Sequence, residues 1–126
     1  MPQTPTFAGD LTISIRVKDR KASAAWYQRM VGWTLLYDVA EIGWCEMRSH
    51  MAGVSVGLSE VESAKAEAGV VPVWGVTDID AARAGLEAKG VRFDGKTREV
   101  PGLVKLATFF DPDGHALMLS QNLAKH

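Results

Sequence analysis

The two halves of this chain repeat one pattern of residues, and a repeat of this kind leaves few possible folds. In the first half, the strand-like run LTISIRVKD (Leu11 to Asp19) leads into KASAAWYQRMVGW. In the second half, VVPVWGVTD (Val70 to Asp78) leads into IDAARAGLEAKGVRF. Each copy has the pattern of a strand, an aspartate, a helix, a glycine and then further strands. The chain is therefore predicted to contain two copies of one β-α-β-β-β unit.

The first copy carries the signals of a strand followed by a capped helix. Apolar and polar residues alternate from Leu11 to Val17, which is the period of a strand with one packed face and one open face. Asp19 is placed to cap the following helix, and Gly32 is placed to end it in a left-handed conformation. The helix is predicted to bury a stripe of residues spaced four apart, namely Ala22, Trp26 and Met30.

The second copy repeats these signals. Either Asp78 or Asp80 is predicted to cap its helix, and Gly90 is predicted to end it. The predicted apolar stripe of this helix consists of Ile79, Ala82 and Leu86.

Short β-like runs follow each helix, at 33–39, 42–49 and 54–58 in the first copy and at 91–93, 103–110 and 116–121 in the second. The last two runs are separated by the sequence DPDG, in which proline and glycine favour a tight turn, so they are predicted to form a hairpin. The small and charged segment 61–69 is predicted to link the copies. The expected organisation is one domain over 9–122, with module 1 at about 9–60 and module 2 at about 70–122.

Length and composition favour a single folded globular domain. The chain has 126 residues, of which 23% are charged and 47% hydrophobic, which is typical of a globular domain. A net charge of −1 leaves no basic surplus, so neither nucleic acid nor a membrane is expected as a partner. No run approaches the roughly 20 apolar residues of a membrane helix, and the start MPQTPTFAGD has no export signal. With Cys45 as the single cysteine, a reducing, cytoplasmic setting is expected.

Four segments in order, ISIRVKD, WYQRMVGW, WGVTDIDAARAGLEAKGVRF and FFDPDGHALMLSQ, resemble the vicinal oxygen chelate superfamily of glyoxalases, bleomycin resistance proteins and dioxygenases. The resemblance extends over nearly the whole chain. It implies an α+β fold in which two tandem β-α-β-β-β modules form a half-open mixed-sheet barrel around a cavity. It also implies a homodimer.

The resemblance places the family's metal-binding positions at residues that are poor ligands. Metal-dependent relatives have His or Gln seven residues before the first strand-end aspartate, His seven before the second, and a carboxylate in the last strand. These positions hold Thr12, Val71 and Met118 here, and a further carboxylate position corresponds to Val56 or Gly57. Because a catalytic divalent ion needs about three ligands from His, Asp, Glu or Cys, neither a metal nor another cofactor is expected.

Polar residues of two strands are predicted to line the cavity. Thr12, Ser14 and Arg16 share one strand face, where they offer two hydroxyl groups and a guanidinium to a ligand, with a solvated face as the alternative. Glu46 is also predicted to line the cavity. Together with Arg48 it forms either a polar pair in the cavity or part of an exposed face.

Aromatic and apolar residues complete the predicted site. Of the four tryptophans, Trp26 and Trp74 are predicted to lie in the core. Trp33 and Trp44 are predicted cavity residues, with a core position as the alternative. The floor of the cavity is predicted to be apolar and to consist of Val71, Val73 and Met118. The alternative is that these residues belong to a filled core.

These residues favour a protein that binds a small, partly aromatic or apolar organic molecule without a metal, for sequestration or resistance. One alternative is a lyase, isomerase or dioxygenase of the same superfamily, either with a metal held by other residues or with Glu46 as a metal-free general base. Another alternative is an accessory subunit whose cavity is filled. The sequence leaves open whether the modules pair within one chain or across the dimer.

Overall fold

The computed structural model describes residues 6–65 and 69–124. The chain divides into two compact units, with the boundary between Ser63 and Ala64. Each unit has one α-helix and one four-stranded mixed sheet, in the order β-α-β-β-β. The α+β class and the two tandem modules are therefore confirmed. The half-open barrel and the single domain over 9–122 stay predictions.

Unit 1 is built around an open sheet whose strand order is β1-β4-β3-β2. β1 pairs with β4 in parallel, and the other pairs are antiparallel. The elements, in chain order, are β1 (Leu11–Val17), α1 (Arg20–Val31), β2 (Thr34–Val39), a single turn of 3-10 helix (Ala40–Ile42), β3 (Trp44–Arg48) and β4 (Val54–Glu60).

The ends of α1 follow the sequence signals. The carboxylate of Asp19 accepts a hydrogen bond from the backbone N–H of Ala22 at 3.0 Å, and Gly32 ends the helix with a φ of 78°. The predicted stripe is confirmed at Met30 and wrong at the other two positions, because Ala22 is exposed and Trp26 is only half-buried. The buried face is displaced around the helix and consists of Arg20, Ser23, Ala24, Tyr27 and Met30.

Arg20 belongs to this buried face because its charge is paired. Its guanidinium donates to both carboxylate oxygens of Asp38, at 2.7 and 3.0 Å, and to Glu60 at 3.2 Å. The bond to Arg20 holds the pKa of Asp38 below its usual value. These contacts tie the start of α1 to β2 and β4.

Unit 2 repeats the architecture with the strand order β5-β8-β7-β6. β5 and β8 are parallel, and the remaining pairs are antiparallel. Its elements are β5 (Val73–Gly75), α2 (Ile79–Ala88), β6 (Arg98–Val100), β7 (Val104–Phe110) and β8 (Ala116–Asn122).

The structure decides which aspartate caps α2, and it shows the hairpin predicted from the DPDG sequence. The cap of α2 is Asp78, which accepts from the backbone N–H of Ala81 at 3.1 Å. The DPDG sequence joins β7 and β8 as predicted. The buried carboxylate of Asp111 closes the turn by accepting from the backbone N–H groups of Asp113 and His115, at 3.0 and 2.8 Å.

The strand predicted at 91–93 is wrong. Val91 is buried and Phe93 forms an isolated bridge with Phe109. The second strand of the unit, β6, instead lies at Arg98–Val100, directly before Pro101. The apolar residues at 91 and 93 pack into the core without forming a regular strand. The three residues of the strand at Arg98–Val100 are all exposed, so they show no alternation of apolar and polar residues from which a strand could be predicted.

Each unit has its own apolar core between its helix and one face of its sheet. The core of unit 1 consists of Ile15, Val17, Ala24, Tyr27, Met30, Trp33, Cys45, Met47, Val56 and Leu58. That of unit 2 consists of Trp74, Ile79, Leu86, Val91, Ala107, Phe109, Leu117 and Leu119.

Within 6–65 and 69–124, no helix is long and apolar enough to cross a bilayer.

Candidate functional site

The two faces of the unit 1 sheet differ in chemistry because side chains alternate along each strand. One face carries buried apolar residues, such as Met47, Val56 and Leu58, and α1 packs against strands of this sheet. The opposite face is polar. It carries Thr12, Ser14, Arg16, Trp44, Glu46, Arg48, Ser55, Gly57 and Ser59.

Strand register brings part of the predicted site together in one row. Ser14 of β1 pairs with Gly57 of β4, Gly57 pairs with Glu46 of β3, and Glu46 pairs with Tyr37 of β2. Thr12 lies in the neighbouring row, beside Ser55. The predicted hydroxyl residues and the predicted carboxylate therefore lie on the same face.

Glu46 is the centre of a hydrogen-bond network on this face. The hydroxyl of Tyr37 donates to one carboxylate oxygen at 2.7 Å, and the hydroxyl of Ser55 donates to the other at 2.8 Å. The hydroxyls of Ser55 and Thr12 are 3.2 Å apart. Since Ser55 uses its only proton on Glu46, Thr12 is the donor in that pair. Both oxygens of Glu46 are thus held by donors from neighbouring strands.

These bonds stabilise the charged form of the carboxyl group. The bond from Tyr37, followed by that from Ser55, lowers the pKa of Glu46 below its usual value. The same hydrogen bond raises the pKa of Tyr37, because the phenol must keep its proton in order to donate it to Glu46. Glu46 is consequently an anion at neutral pH.

The indole of Trp44 lies directly over Gly57, which has no side chain to exclude it. A Cβ atom at Gly57 would lie 1.9 Å from Cη2 and 2.1 Å from Cζ2 of Trp44. The indole also contributes, less than Tyr37 and Ser55 do, to the lowered pKa of Glu46 through a side-chain hydrogen bond. Gly57 and Glu46 together therefore determine where this ring lies.

A cleft of about 520 Å³ opens beside this network, entirely within unit 1. Glu46 and Ser55 form part of its wall, and the loop between β3 and β4 borders it. Its volume is within the usual range for small-molecule sites, about 300–1,000 Å³. Its apolar lining includes Leu36, Met51 and Val54.

Trp33 is not on the open face. It is 3% exposed, and its ring stacks on Tyr27 with 5.4 Å between centroids. Its indole N–H donates to Nδ1 of His50 at 3.2 Å, and His50 lines the cleft. Trp33 therefore supports the bordering loop from the core.

The remaining predicted residues lie elsewhere. Ser14 and Arg16 are on the open face but do not line the cleft, and neither does Trp44. Val71, Val73 and Met118 belong to unit 2, where Val73 and Met118 are direct strand neighbours. Val73 is exposed, whereas Val71 and Met118 are half-buried.

The residues at the family's metal positions do not fit a divalent ion. Thr12 offers a neutral hydroxyl that is already bonded to Ser55, Val71 has no donor atom in its side chain, and Met118 offers only a soft thioether. In the part of the chain that the structure describes, no three His, Cys, Asp or Glu residues cluster in a way that could hold a metal.

Sequence reasoning missed two residues that hold Glu46. Ser55 could have been found, since residues 55, 57 and 59 of β4 alternate with buried Val56 and Leu58. Tyr37 could not, because a register shift between residues 35 and 37 of β2 brings it opposite Glu46. An irregularity of this kind leaves no signal in hydrophobic periodicity.

Comparison with known proteins identifies one family over both units. The sequence model described as the Glyoxalase/Bleomycin resistance protein/Dioxygenase superfamily matches residues 11–119. No curated protein sequence matches the chain.

Solved structures share the fold over nearly their full length. A superfamily member from Sphaerobacter thermophilus has a TM-score of 0.79 at 22% identity, covering 92% of this chain and 98% of that one. TnmS3, an antibiotic binding protein from Streptomyces sp. CB03234, has a TM-score of 0.76 at 25% identity, with 94% and 99% covered. A glyoxalase/bleomycin resistance protein from the same source has a TM-score of 0.70 at 27% identity, with 89% and 99% covered.

Proposed function

Because this chain belongs to the Glyoxalase/Bleomycin resistance protein/Dioxygenase superfamily, we propose that it binds a small organic molecule without a metal, in a sequestration or resistance role. The observation that carries the proposal is the cleft of about 520 Å³ in unit 1, with the fixed carboxylate of Glu46 in its wall. A site of this kind combines apolar contact area with one oriented polar group.

The similarity to TnmS3, described as an antibiotic binding protein, supports a sequestering role. The donor set at the family's metal positions supports metal-free binding, because Thr12, Val71 and Met118 offer no charged ligand atom. Binding would then come from burial of apolar ligand surface, at about 25 cal/mol per Å², and from hydrogen bonds to the open face.

The electrostatics of Glu46 favour binding over general base catalysis. A general base is most effective when its pKa lies near the working pH, and the pKa of Glu46 is instead lowered by its hydrogen bonds. A metal-free lyase or isomerase that uses this group would work against that shift. The turnover of such an enzyme would be abolished by Glu46→Gln.

Titration of the intrinsic tryptophan fluorescence with a panel of glycopeptide, quinone and polyketide antibiotics tests the proposal. Trp44 contacts the network around Glu46, so a bound ligand is expected to change its emission and to give a saturable curve. The Glu46→Gln variant should bind the same compound more weakly. A panel without any saturable change would contradict the proposal.

The proposal includes a cytoplasmic homodimer. The buried free thiol of Cys45 is compatible with a reducing compartment, and the net charge of −1 leaves no basic surplus for nucleic acid. Sedimentation velocity at micromolar concentration should give the mass of two chains, and a monomer at all concentrations would contradict the dimer.

A further inference from the structure

The cleft of unit 1 contains a carboxylate that is fixed before any ligand arrives. An exposed glutamate on a strand face normally samples many rotamers, and ordering it costs free energy on binding. Glu46 has already been ordered by Tyr37 and Ser55, at 2.7 and 2.8 Å. Its two oxygens accept these bonds and keep further acceptor capacity, since a carboxylate has about four lone-pair sites.

The charge of this carboxylate is stabilised by neutral donor groups. In the described ranges, Glu46 has no ion pair, and the bonds that stabilise its charge come from neutral hydroxyl groups and an indole. Asp10 adds a second carboxylate to the lining of the cleft. An anion that borders a half-open, partly apolar cleft attracts a positively charged ligand group more strongly than a fully hydrated anion would.

Among the described residues, Arg48 is the one guanidinium that lines the cleft, and it is the weaker candidate for recognition. It is exposed and forms no ion pair or side-chain hydrogen bond with any residue in 6–65 or 69–124. An exposed, mobile cation is hydrated and screened by salt, and fixing it on a ligand costs side-chain entropy. Glu46 is therefore expected to contribute more to ligand recognition than Arg48 does.

We propose that the cleft selects ligands that combine a flat apolar ring system with a cationic nitrogen, and that Glu46 binds the nitrogen. The ring system fits the apolar part of the lining, which Leu36, Met51 and Val54 provide. The nitrogen supplies the donor that the remaining lone pairs of Glu46 accept. This inference rests on the proposed function, because it names the chemical class that the cleft takes.

Three probes of one shape test the inference: 2-naphthamidine is cationic, 2-naphthamide is neutral and 2-naphthoate is anionic. Isothermal titration calorimetry should give a Kd for the amidine at least about tenfold lower than that for the amide, since a charge-assisted hydrogen bond is about twice as strong as a neutral one. The preference should disappear in Glu46→Gln. It should persist in Glu41→Gln, which removes an exposed carboxylate outside the cleft.

A second measurement needs no variant. Raising the NaCl concentration should weaken binding of the amidine and leave binding of the amide unchanged. Equal affinity for all three probes, or tighter binding of 2-naphthoate, would overturn the inference and leave the proposed function standing. Absence of binding by all three would also overturn it, and the antibiotic titration would then decide the proposed function separately.

Discussion

Replacing Gly57 by alanine places a methyl group where the indole of Trp44 lies. The added Cβ atom would be 1.9 Å from Cη2, 2.1 Å from Cζ2 and 2.9 Å from Cζ3 of that ring. An ordinary carbon contact is about 3.5 Å, so the indole must withdraw by about 1.6 Å. The displaced indole then loses its hydrogen-bond contribution to the network around Glu46.

The expected cost is moderate because a side chain moves, while the backbone stays in place. Overpacking of this kind costs about 1–3 kcal/mol, and replacing a glycine offsets part of that cost by stiffening the unfolded chain, by about 0.4–1 kcal/mol. A net loss of about 1–2 kcal/mol is therefore expected. With a typical urea m-value of about 2 kcal/mol per M, the midpoint should fall by about 0.5–1 M.

Urea unfolding followed by circular dichroism measures this change independently of tryptophan emission. Gly75→Ala is the matched control, since Gly75 also lies in a strand and an added Cβ would meet nothing within 4 Å. The control should be neutral or more stable by up to about 1 kcal/mol. In a Trp44→Ala background, Gly57→Ala should lose its cost, since the two residues then no longer collide.

Equal midpoints for Gly57→Ala and the wild-type protein would refute the close approach of Trp44 to Gly57. A cost that persists undiminished without the indole would also refute it. Either result would remove the reason for assigning Trp44 to this position on the open face.

Three further predictions concern the titratable groups of unit 1. Tyr37→Phe should raise the pKa of Glu46, measured by NMR titration, towards its usual value of 4.5, and an unchanged pKa would contradict the contact. The stabilisation that Glu46 contributes is present above pH 4.5 and is lost as the pH falls through its lowered folded-state pKa. The variant should therefore lose less stability on acidification than the wild-type protein does. Arg20→Gln should raise the pKa of Asp38 and lower the urea midpoint, since Asp38 and Glu60 lose a buried partner; an unchanged midpoint would argue against a structural role. Cys45, which is 1% exposed and has a pKa raised by burial, should react with a thiol reagent only on unfolding, and rapid native labelling would contradict its burial.

Much of the fold could be predicted because repeated local signals agree with each other. Asp19 caps α1 and Asp78 caps α2. Gly32 ends α1, and the DPDG turn forms the last hairpin. Each depends on a hydrogen bond or a backbone conformation that a few consecutive residues determine. Such features are legible in one sequence.

Features that depend on tertiary pairing were harder to predict. The buried face of α1 was misplaced because it includes Arg20, whose burial requires Asp38 and Glu60 from other strands. At the site, alternation placed Thr12 and Ser14 on one face of β1, but it left open which face of β3 lines the cavity, and the partner Tyr37 depends on a register shift in β2. Polar residues that are buried through distant partners are invisible to an analysis of apolar spacing.

Binding of an organic ligand in the cleft of unit 1 without a metal can be measured by isothermal titration calorimetry on protein treated with a chelator. The protein is treated with EDTA, checked by elemental analysis, and titrated with the antibiotic that gives the strongest fluorescence response, with and without one equivalent of Mn²⁺ or Zn²⁺. The predicted result is one Kd under all conditions. Binding that is lost on chelation and restored by one equivalent of either ion would contradict binding without a metal.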